Sequence, residues 1–398
     1  MRRTAVLFLL VLLLLPAACM AETRLMVVSD LHYMAPSLYR DSALFLRVLR
    51  RGDGKITQYG DELLNALLAE IRAQRPDALV VTGDLTYNGE RKSHEALADW
   101  FRSVEETGVP VWVIPGNHDI NVAGPVGFSG EDWFPAEAVT PELFAALYAD
   151  FMEPGSAGFS YAVTVGDVCL AMTDVAMYAP QAFTPGLFSD RHAAWLEEVL
   201  RQAGDAQVIT ATHHSLIRHT EFSSDSYLMY GSGSMKELAV RYGVHLNLSG
   251  HLHIQHIARE GDLFDAALGA FCMWPHRYAL VTLNGDSLRY EAKSLDPAYL
   301  PAGFQETSRD WFYGITHDKA KASGITGTGA EIEAMADFAA RFNLAYFSGT
   351  FRPEDPVWTQ DPARALWEAR QDTPFGGYLC LVMREEGEDP LRIEYRIR

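Results

Sequence analysis

The pentapeptide Pro115-Gly116-Asn117-His118-Asp119 directly follows the apolar run Val111-Trp112-Val113-Ile114. A short apolar run bounded by polar residues reads as a buried strand, and packing alone gives no reason for an Asn–His pair at its end. Four other places repeat the pattern. Asp30-Leu31-His32 follows Leu25 to Val28, Gly83-Asp84 follows Leu79 to Val81, His213-His214 follows Val208 to Ile209, and Gly250-His251-Leu252-His253 follows Leu246 to Leu248. A chain built this way gathers polar clusters at the carboxyl ends of its strands, where open α/β sheets place their sites. Carboxylate, amide oxygen and imidazole suit divalent first-row metals, and no cysteine is among them.

Between these strands lie helical patterns. Leu64, Leu67, Leu68 and Ile71 share one face of a helix beginning near Asp61, and Leu97, Phe101 and Val104 share another beginning near Ser93. Ser189 reads as the N-cap of a helix with the stripe Trp195, Leu196, Val199 and Leu200, ended by Gly204. A helix from Ser234 to Tyr242, closed by Gly243, feeds the strand before His251, with Gly231-Ser232-Gly233-Ser234 as a loop ahead of it. Strand–helix alternation implies an α/β core. Residues 36–60 read as an irregular insert, and its Gly52-Asp53-Gly54-Lys55 as a surface turn, because the further acidic ligands of a calcium loop are missing. From about Leu295 the texture changes to aromatic-rich helical spacing, including Ile332, Met335, Phe338 and Phe342, interrupted by Pro353, Pro356, Pro362 and Pro374. The expected organisation is a catalytic-type domain over 22–296 and a smaller, mainly helical domain over 297–398. A module of that size can fold around its own core, so the ligand set is expected to survive truncation near Asp296.

At 398 residues, 48% hydrophobic and 21% charged, the chain has material for one large core and a smaller one. The net charge of −19 argues against tracking nucleic acid, whose phosphates are bound by Lys/Arg surfaces. Arg2-Arg3, the apolar run Ala5 to Leu15 and the small residues around Ala17 to Ala21 describe an export signal over 1–21, too short for a stable membrane span. Two processing routes stand open: cleavage after Ala21, or lipid attachment at Cys19 as in a bacterial lipoprotein. Either places the mature chain outside the cytoplasm, secreted, periplasmic or lipid-anchored. Cys169, Cys272 and Cys380 do not suggest a disulfide framework, and the first and second read as buried thiols.

Taken in order, Asp-x-His, Gly-Asp, Gly-Asn-His-Asp, His and Gly-His-x-His make the sequence resemble the calcineurin-like metallophosphoesterases over roughly Arg24 to Asp296. Gly83-Asp84-Leu85-Thr86 and Ser249-Gly250-His251-Leu252-His253 are most similar to the cyclic-nucleotide phosphodiesterase-like branch, in its exported bacterial members. Ser215-Leu216 departs from the Pro-Pro that often follows the His pair there. The resemblance implies a four-layer α/β/β/α sandwich holding two divalent transition-metal ions: manganese, iron or zinc. One would lie among Asp30, His32, Asp84 and His253, the other among Asp84, Asn117, His213 and His251, with Asp84 shared and the ions ~3.5–4 Å apart. A water between the ions would lose a proton near neutral pH and serve as the nucleophile on a small phosphoester. His118 would stabilise the transition state or protonate the departing oxygen, with Asp119 orienting its ring. A phosphodiesterase is the leading expectation, a phosphomonoesterase or nucleotidase with the same site the next, and a non-catalytic binding protein on this scaffold the third.

Neighbours along a strand point to opposite faces, so one of His213 and His214 should reach the metals; the family pattern selects His213. His94, His192, His219, His256 and His276 read as surface or core histidines, with His276 as a candidate lining residue of the site. Asp174 reads equally as a support of the site or as a simple strand-end carboxylate.

Overall fold

The computed structural model describes residues 22–397 other than 41, 154, 156 and 223–226; the segment read as an export signal, with Cys19, lies outside them. The chain runs through β1 (Thr23–Val28), α1 (Ala43–Arg51), α2 (Gly60–Gln74), β2 (Ala78–Thr82), α3 (Arg91–Glu105) and β3 (Val111–Ile114). A hairpin of β4 (Val126–Ser129) and β5 (Asp132–Pro135), α4 (Pro141–Leu147), then β6 (Tyr161–Val165) and β7 (Val168–Met172) follow. The short pair β8 (Ala176–Met177) and β9 (Phe183–Gly186) precedes α5 (Asp190–Ala203), β10 (Gln207–Ala211), α6 (Ser232–Arg241) and β11 (Leu246–Ser249). Next come β12 (His256–Glu260), β13 (Leu263–Ala267), β14 (Arg277–Asn284) and β15 (Ser287–Ser294). The helices α7 (Phe304–Ala322), α8 (Gly329–Phe347), α9 (Pro356–Thr359), α10 (Pro362–Glu368) and α11 (Pro374–Val382) lead to β16 (Arg392–Arg396).

Two six-stranded sheets are ordered β16-β15-β14-β1-β2-β3 and β12-β13-β11-β10-β7-β6. Their centres are parallel: β1 with β2, β2 with β3, and β10 with both β7 and β11. Period-two alternation builds the layers from these strands. Leu25, Val27, Ala78, Val80 and Ile114 meet Leu170, Met172, Ile209, Ala211 and Leu248 in a core between the sheets. Their neighbours Met26, Val28, Leu79, Val81, Val111 and Val113 pack outward against Leu67 and Ile71 of α2 and Leu97 and Phe101 of α3. On the far side, Ala171 packs with Leu196 and Leu200 of α5 and Met235 and Leu238 of α6. The result is the expected helix–sheet–sheet–helix sandwich.

Local differences from the sequence reading have physical causes. Residues 36–60 are not irregular: Ser42 caps α1 by accepting the Phe45 N–H at 3.2 Å, and Phe45 and Leu49, one turn apart, are buried. The Gly231–Ser234 stretch is the start of α6, because Gly231 takes φ +77° and its carbonyl accepts the Ser234 N–H at 3.0 Å. Helix α3 starts at Arg91, two residues earlier than expected. Cys272 and Cys380 are buried but Cys169 is half-buried, and all three are free thiols. Among the described residues no helix is long and apolar enough to cross a membrane.

The boundary expected at 296 does not separate independent units. After the helices, β16 returns and pairs antiparallel with β15, from Ser287↔Arg396 to Glu291↔Arg392. The core of α8, α10 and α11 (Met335, Phe338, Phe342, Trp367, Leu379) also takes in Leu252 and Ile254 from the loop after β11. Full burial of an aliphatic side chain is worth ~1.5–3 kcal/mol, against the ~5–15 kcal/mol that stabilises a whole domain. A chain ended after Asp296 loses that cover and a sheet strand together. We expect it to aggregate, or to melt far below the full chain in circular dichroism; a soluble fragment with an unchanged melting point would restore the boundary.

Candidate metal centre

The parallel strands end level with one another, and their loops are knitted by backbone bonds. Asp30 N–H donates to Gly83 O at 3.1 Å, His32 N–H to Asp84 O at 3.0 Å, and Gly250 N–H to His213 O at 2.9 Å. The glycines of the motifs are required by space. A Cβ on Gly116 would lie 2.2 Å from Asp84 Oδ1, and one on Gly83, itself at φ +94°, 2.6 Å from His213 Nδ1. Asp30, His32, Asp84, His251 and His253 all have positive φ, between 39° and 65°. Side chains other than glycine rarely accept this region, and residues held there concentrate at functional sites.

Those loops bring all seven expected ligands together. Ligand atoms of Asp30, His32, Asp84 and His253 lie within 4.8 Å of one another, and so do those of Asp84, His213 and His251, so Asp84 belongs to both groups. His32 Nε2 stands 3.7 Å from Asp30 Oδ1 and 3.6 Å from Asp84 Oδ2, and His253 Nε2 stands 3.2 Å from Asp30 Oδ1. His213 Nε2 is 3.4 Å from Asp84 Oδ2 and 3.3 Å from Asn117 Oδ1. His32 Nε2 and His253 Nε2 face each other at 3.1 Å. Lone pairs thus converge from carboxylate, imidazole and amide groups that are buried or nearly so. This donor set fits two divalent cations sharing one carboxylate.

The electrostatics point the same way. Burial alone would push the Asp84 carboxyl up, but His213, His118 and His32 hold it well below the usual range. Burial opposes charge on His213 and His253, yet Asp84 beside the first, and Asp30 and Asp53 bonded to the second, raise both to about 9. Burial instead depresses His32 and His251 far below the ordinary histidine value. The carboxylates therefore draw protons onto two imidazoles, and cations in their place would release those protons. His213 Nδ1–H donates to Thr82 O at 2.8 Å, which leaves Nε2 as its ligand atom.

His118 lies beside this centre, its ring edge-on to His32 at 5.0 Å. Its backbone N–H donates to Asp84 Oδ1 at 2.8 Å, and its Nδ1 faces Asn88 Oδ1 at 2.8 Å and Tyr87 O at 3.1 Å. The carbonyl can only accept, so Nδ1 carries a proton and Nε2 is left for other work. The expected orienting role of Asp119 is not met: its carboxylate accepts the N–H groups of Leu85, Thr86 and Gly116 and the Thr86 hydroxyl. Asp119 ties the Asp84 loop to the Asn117 loop instead. Buried there, and close to Asp84, its carboxyl is pushed up to about 7.

His214 lies, like His213, beyond the end of β10; it belongs to neither ligand group, donates Nε2–H to Thr184 O at 2.6 Å and packs its ring against His251 at 4.3 Å. His276 does not line the centre; it is buried between Phe271 O and Ser308 Oγ. Asp174 accepts from Phe159 N, Ala176 N and the Tyr178 hydroxyl, binding loops together. Two participants escaped the sequence reading. Asn88 sits four residues after Asp84, where a polar residue before Gly89 reads only as turn chemistry. Asp53, within the supposed surface turn, accepts His253 Nδ1–H at 3.0 Å. The Gly-Asp-Gly-Lys stretch was the available signal, but nothing local tied it to a histidine two hundred residues away.

The calcineurin-like phosphoesterase family model matches residues 23–255, more than half of the chain and every ligand position. The chain belongs to the calcineurin-like phosphoesterases. Within this family it is 38% identical over 71 residues to a probable cyclic nucleotide phosphodiesterase of Synechococcus, covering 17% of this chain and 27% of that protein. It is 25% identical over 187 residues to a probable glycerophosphodiester phosphodiesterase of Arcobacter nitrofigilis, covering 45% of this chain and 57% of that one. The chain therefore spans less than two thirds of the length of either relative. A solved dimetal phosphatase from Danio rerio is similar at 14% identity and TM-score 0.49, over 69% of this chain and 96% of that one.

The fit at Gly116 makes a sharp test. Gly116→Ala drives a methyl group into Asp84 Oδ1 and should reduce metal content to one ion per chain or fewer, by elemental analysis of folded protein. Full metal content in that variant would show that the loop yields, and that the close approach is not a constraint.

Proposed function

We propose that this protein is a binuclear metal-dependent phosphoester hydrolase, acting as a phosphodiesterase on small molecules, with a cyclic nucleotide as the first substrate to try. The observation carrying this reading is the shared Asp84 carboxylate between two ligand groups, with the His118 ring at their edge. Asp30, His32, Asp84 and His253 would hold one ion, and Asp84, Asn117, His213 and His251 the other. When bound, such ions supply an acidified water and the positive charge that draws in phosphate oxygens.

The chain's own residues do the rest. The His118 N–H bond to Asp84 Oδ1 fixes the orientation of the carboxylate that both groups share. With Nδ1–H held by Tyr87 and Asn88, His118 can donate from Nε2 only as the imidazolium. Burial works against that charge and the Asp84 carboxylate favours it; once protonated, the ring is a cation as well as a proton donor, suited to the charge of a phosphoryl transition state and to the oxygen leaving as the P–O bond breaks. Asp119 keeps the two loops at their spacing. The probable phosphodiesterases among the relatives support the diester preference. Manganese, iron and zinc all suit these ligands. Residues 1–21 support export, so the enzyme would act outside the cytoplasm.

The deciding assay compares bis-nitrophenyl phosphate with nitrophenyl phosphate after loading with each metal. Faster diester turnover is expected; a monoester preference would make the protein a phosphatase or nucleotidase, and no turnover with either would leave a binding protein. Asp84→Ala and Asn117→Ala should lose metal and activity together. His118→Ala should keep both ions and lose ~10²–10⁴-fold in kcat, the usual worth of positioned proton transfer; undiminished turnover, or a variant without its ions, would remove His118 from this role.

A further inference from the structure

We infer that Asp53 positions His253 for metal binding, and that the C-terminal helices act on the metal centre by holding the turn that carries Asp53. The inference rests on the reading of His253 as a ligand. Asp53 Oδ2 accepts two bonds, from His253 Nδ1–H at 3.0 Å and from Lys55 Nζ at 2.9 Å. The first fixes the tautomer of His253, so that Nε2 is the atom aimed at Asp30 Oδ1 and His32 Nε2. Lys55 neutralises the carboxylate and anchors it. His213 is held in the equivalent way by the carbonyl of Thr82, which no side-chain substitution removes. His253 depends on a side chain from a separate segment, the insert between β1 and β2.

That segment does not stand alone. Trp311 of α7 donates its indole N–H to Lys55 O at 3.1 Å, and the Arg50 guanidinium covers the same indole at 4.5 Å. Gly54, at φ +111°, lies against Phe312; a Cβ there would come within 2.5 Å of the ring. Ile56 N–H donates to Cys272 O at 2.9 Å, and Cys272 packs with Met273 and Phe312. The other side of His253 leans on the same module. Leu252 and Ile254 alternate with the two histidines and enter the core of α8, α10 and α11, and Gln255 N–H donates to Phe347 O at 3.0 Å. The backbone of His253 and its carboxylate partner are thus both seated on helices that contribute no ligand.

A carboxylate behind an imidazole ligand commonly contributes ~10–100-fold in metal affinity. The Asp53 side chain is 42% exposed, so its replacement leaves no hole in the core. The test is a competition titration of full-length protein with zinc against a chromophoric chelator, with thermal melts of the metal-free protein alongside. Wild type should bind two ions. Asp53→Ala should weaken one of them ~10–100-fold while the other stays within about threefold and the metal-free melting point holds. Asp53→Asn, whose side-chain oxygen can still accept Nδ1–H, should recover some of the loss. Trp311→Phe, which keeps the ring and removes the bond to Lys55, should weaken the same ion by a smaller factor. A wild type with two sites and an Asp53→Ala profile identical to it would sink the inference alone. Equal weakening of both ions with a lowered metal-free melting point would also overturn it, since that is what loss of general stability produces. Wild type that binds no zinc would sink the reading of the centre, and this inference with it.

Discussion

The Asp84 carboxylate is the point on which the structure turns. It is buried just past the end of β2, where an unpaired charge costs several kcal/mol, and it is met by the imidazoles of His32 and His213 and the backbone N–H of His118. Oδ2 faces His32 and His213, while Oδ1 accepts the His118 N–H. Each of those partners arrives from a different loop, so the charge dictates where four loops must meet. The Asp119 carboxylate, bonded to the backbone on both sides, holds two of those loops at the spacing Asp84 needs. Burial pushes the Asp119 carboxyl up, and the negative charge of Asp84 adds to that rise.

The sandwich exists to deliver this arrangement. Parallel strands bring several carboxyl ends to one edge, and the alternation of buried residues on each strand fixes which way the following loop departs. Positive φ at five ligands means that the backbone is bent at the ligand itself. A straight continuation of β1, β2 or β11 would carry the side chains past the centre. Such conformations cost of order 1–3 kcal/mol each, and the cores on both faces of each sheet are large enough to offset them. Glycine at 83 and 116 belongs to the same requirement, since a single methyl group there would collide with the side chain of His213 or of Asp84.

What could be read from the amino-acid order follows from the range of the forces involved. The strands before Asp30, Asp84, Asn117, His213 and His251 were legible because a buried strand needs an uninterrupted apolar run. The ligands were legible because their types are unusual at such positions and recur in one order. The choice of His213 over His214 drew on strand alternation, a local rule, and on the family pattern. Helix α1 was missed although Phe45 and Leu49 have helical spacing, because the Gly52-Asp53-Gly54-Lys55 run that ends it reads as a turn and drew the whole insert into that reading. The orienting partner of His118 was misjudged for a different reason. Adjacency in sequence suggested Asp119, but residues 118 and 119 point apart, and the true contact, Asn88, comes from the loop after β2. Strand β16 was hidden because Arg392-Ile393-Glu394-Tyr395-Arg396 is short and half polar, as befits the edge of a sheet.

The C-terminal helices are the region whose meaning changes most between sequence and structure. As a sequence they form a separate aromatic-rich module without ligands, and independence is the natural reading. In three dimensions the chain leaves the first sheet at β15, builds the helices, and comes back to the same sheet at β16. A segment inserted between two paired strands cannot drift from the sheet without breaking their ladder. Its core, moreover, is completed by Leu252 and Ile254, the two apolar residues of the Gly-His-Leu-His-Ile run. One five-residue stretch therefore answers to two cores: His251 and His253 to the metal centre, Leu252 and Ile254 to the helices. Packed interiors resist small displacements, so a shift of α8 against this loop moves ligands as well as leucines. The helical module is better described as the back wall of the centre than as an appended domain.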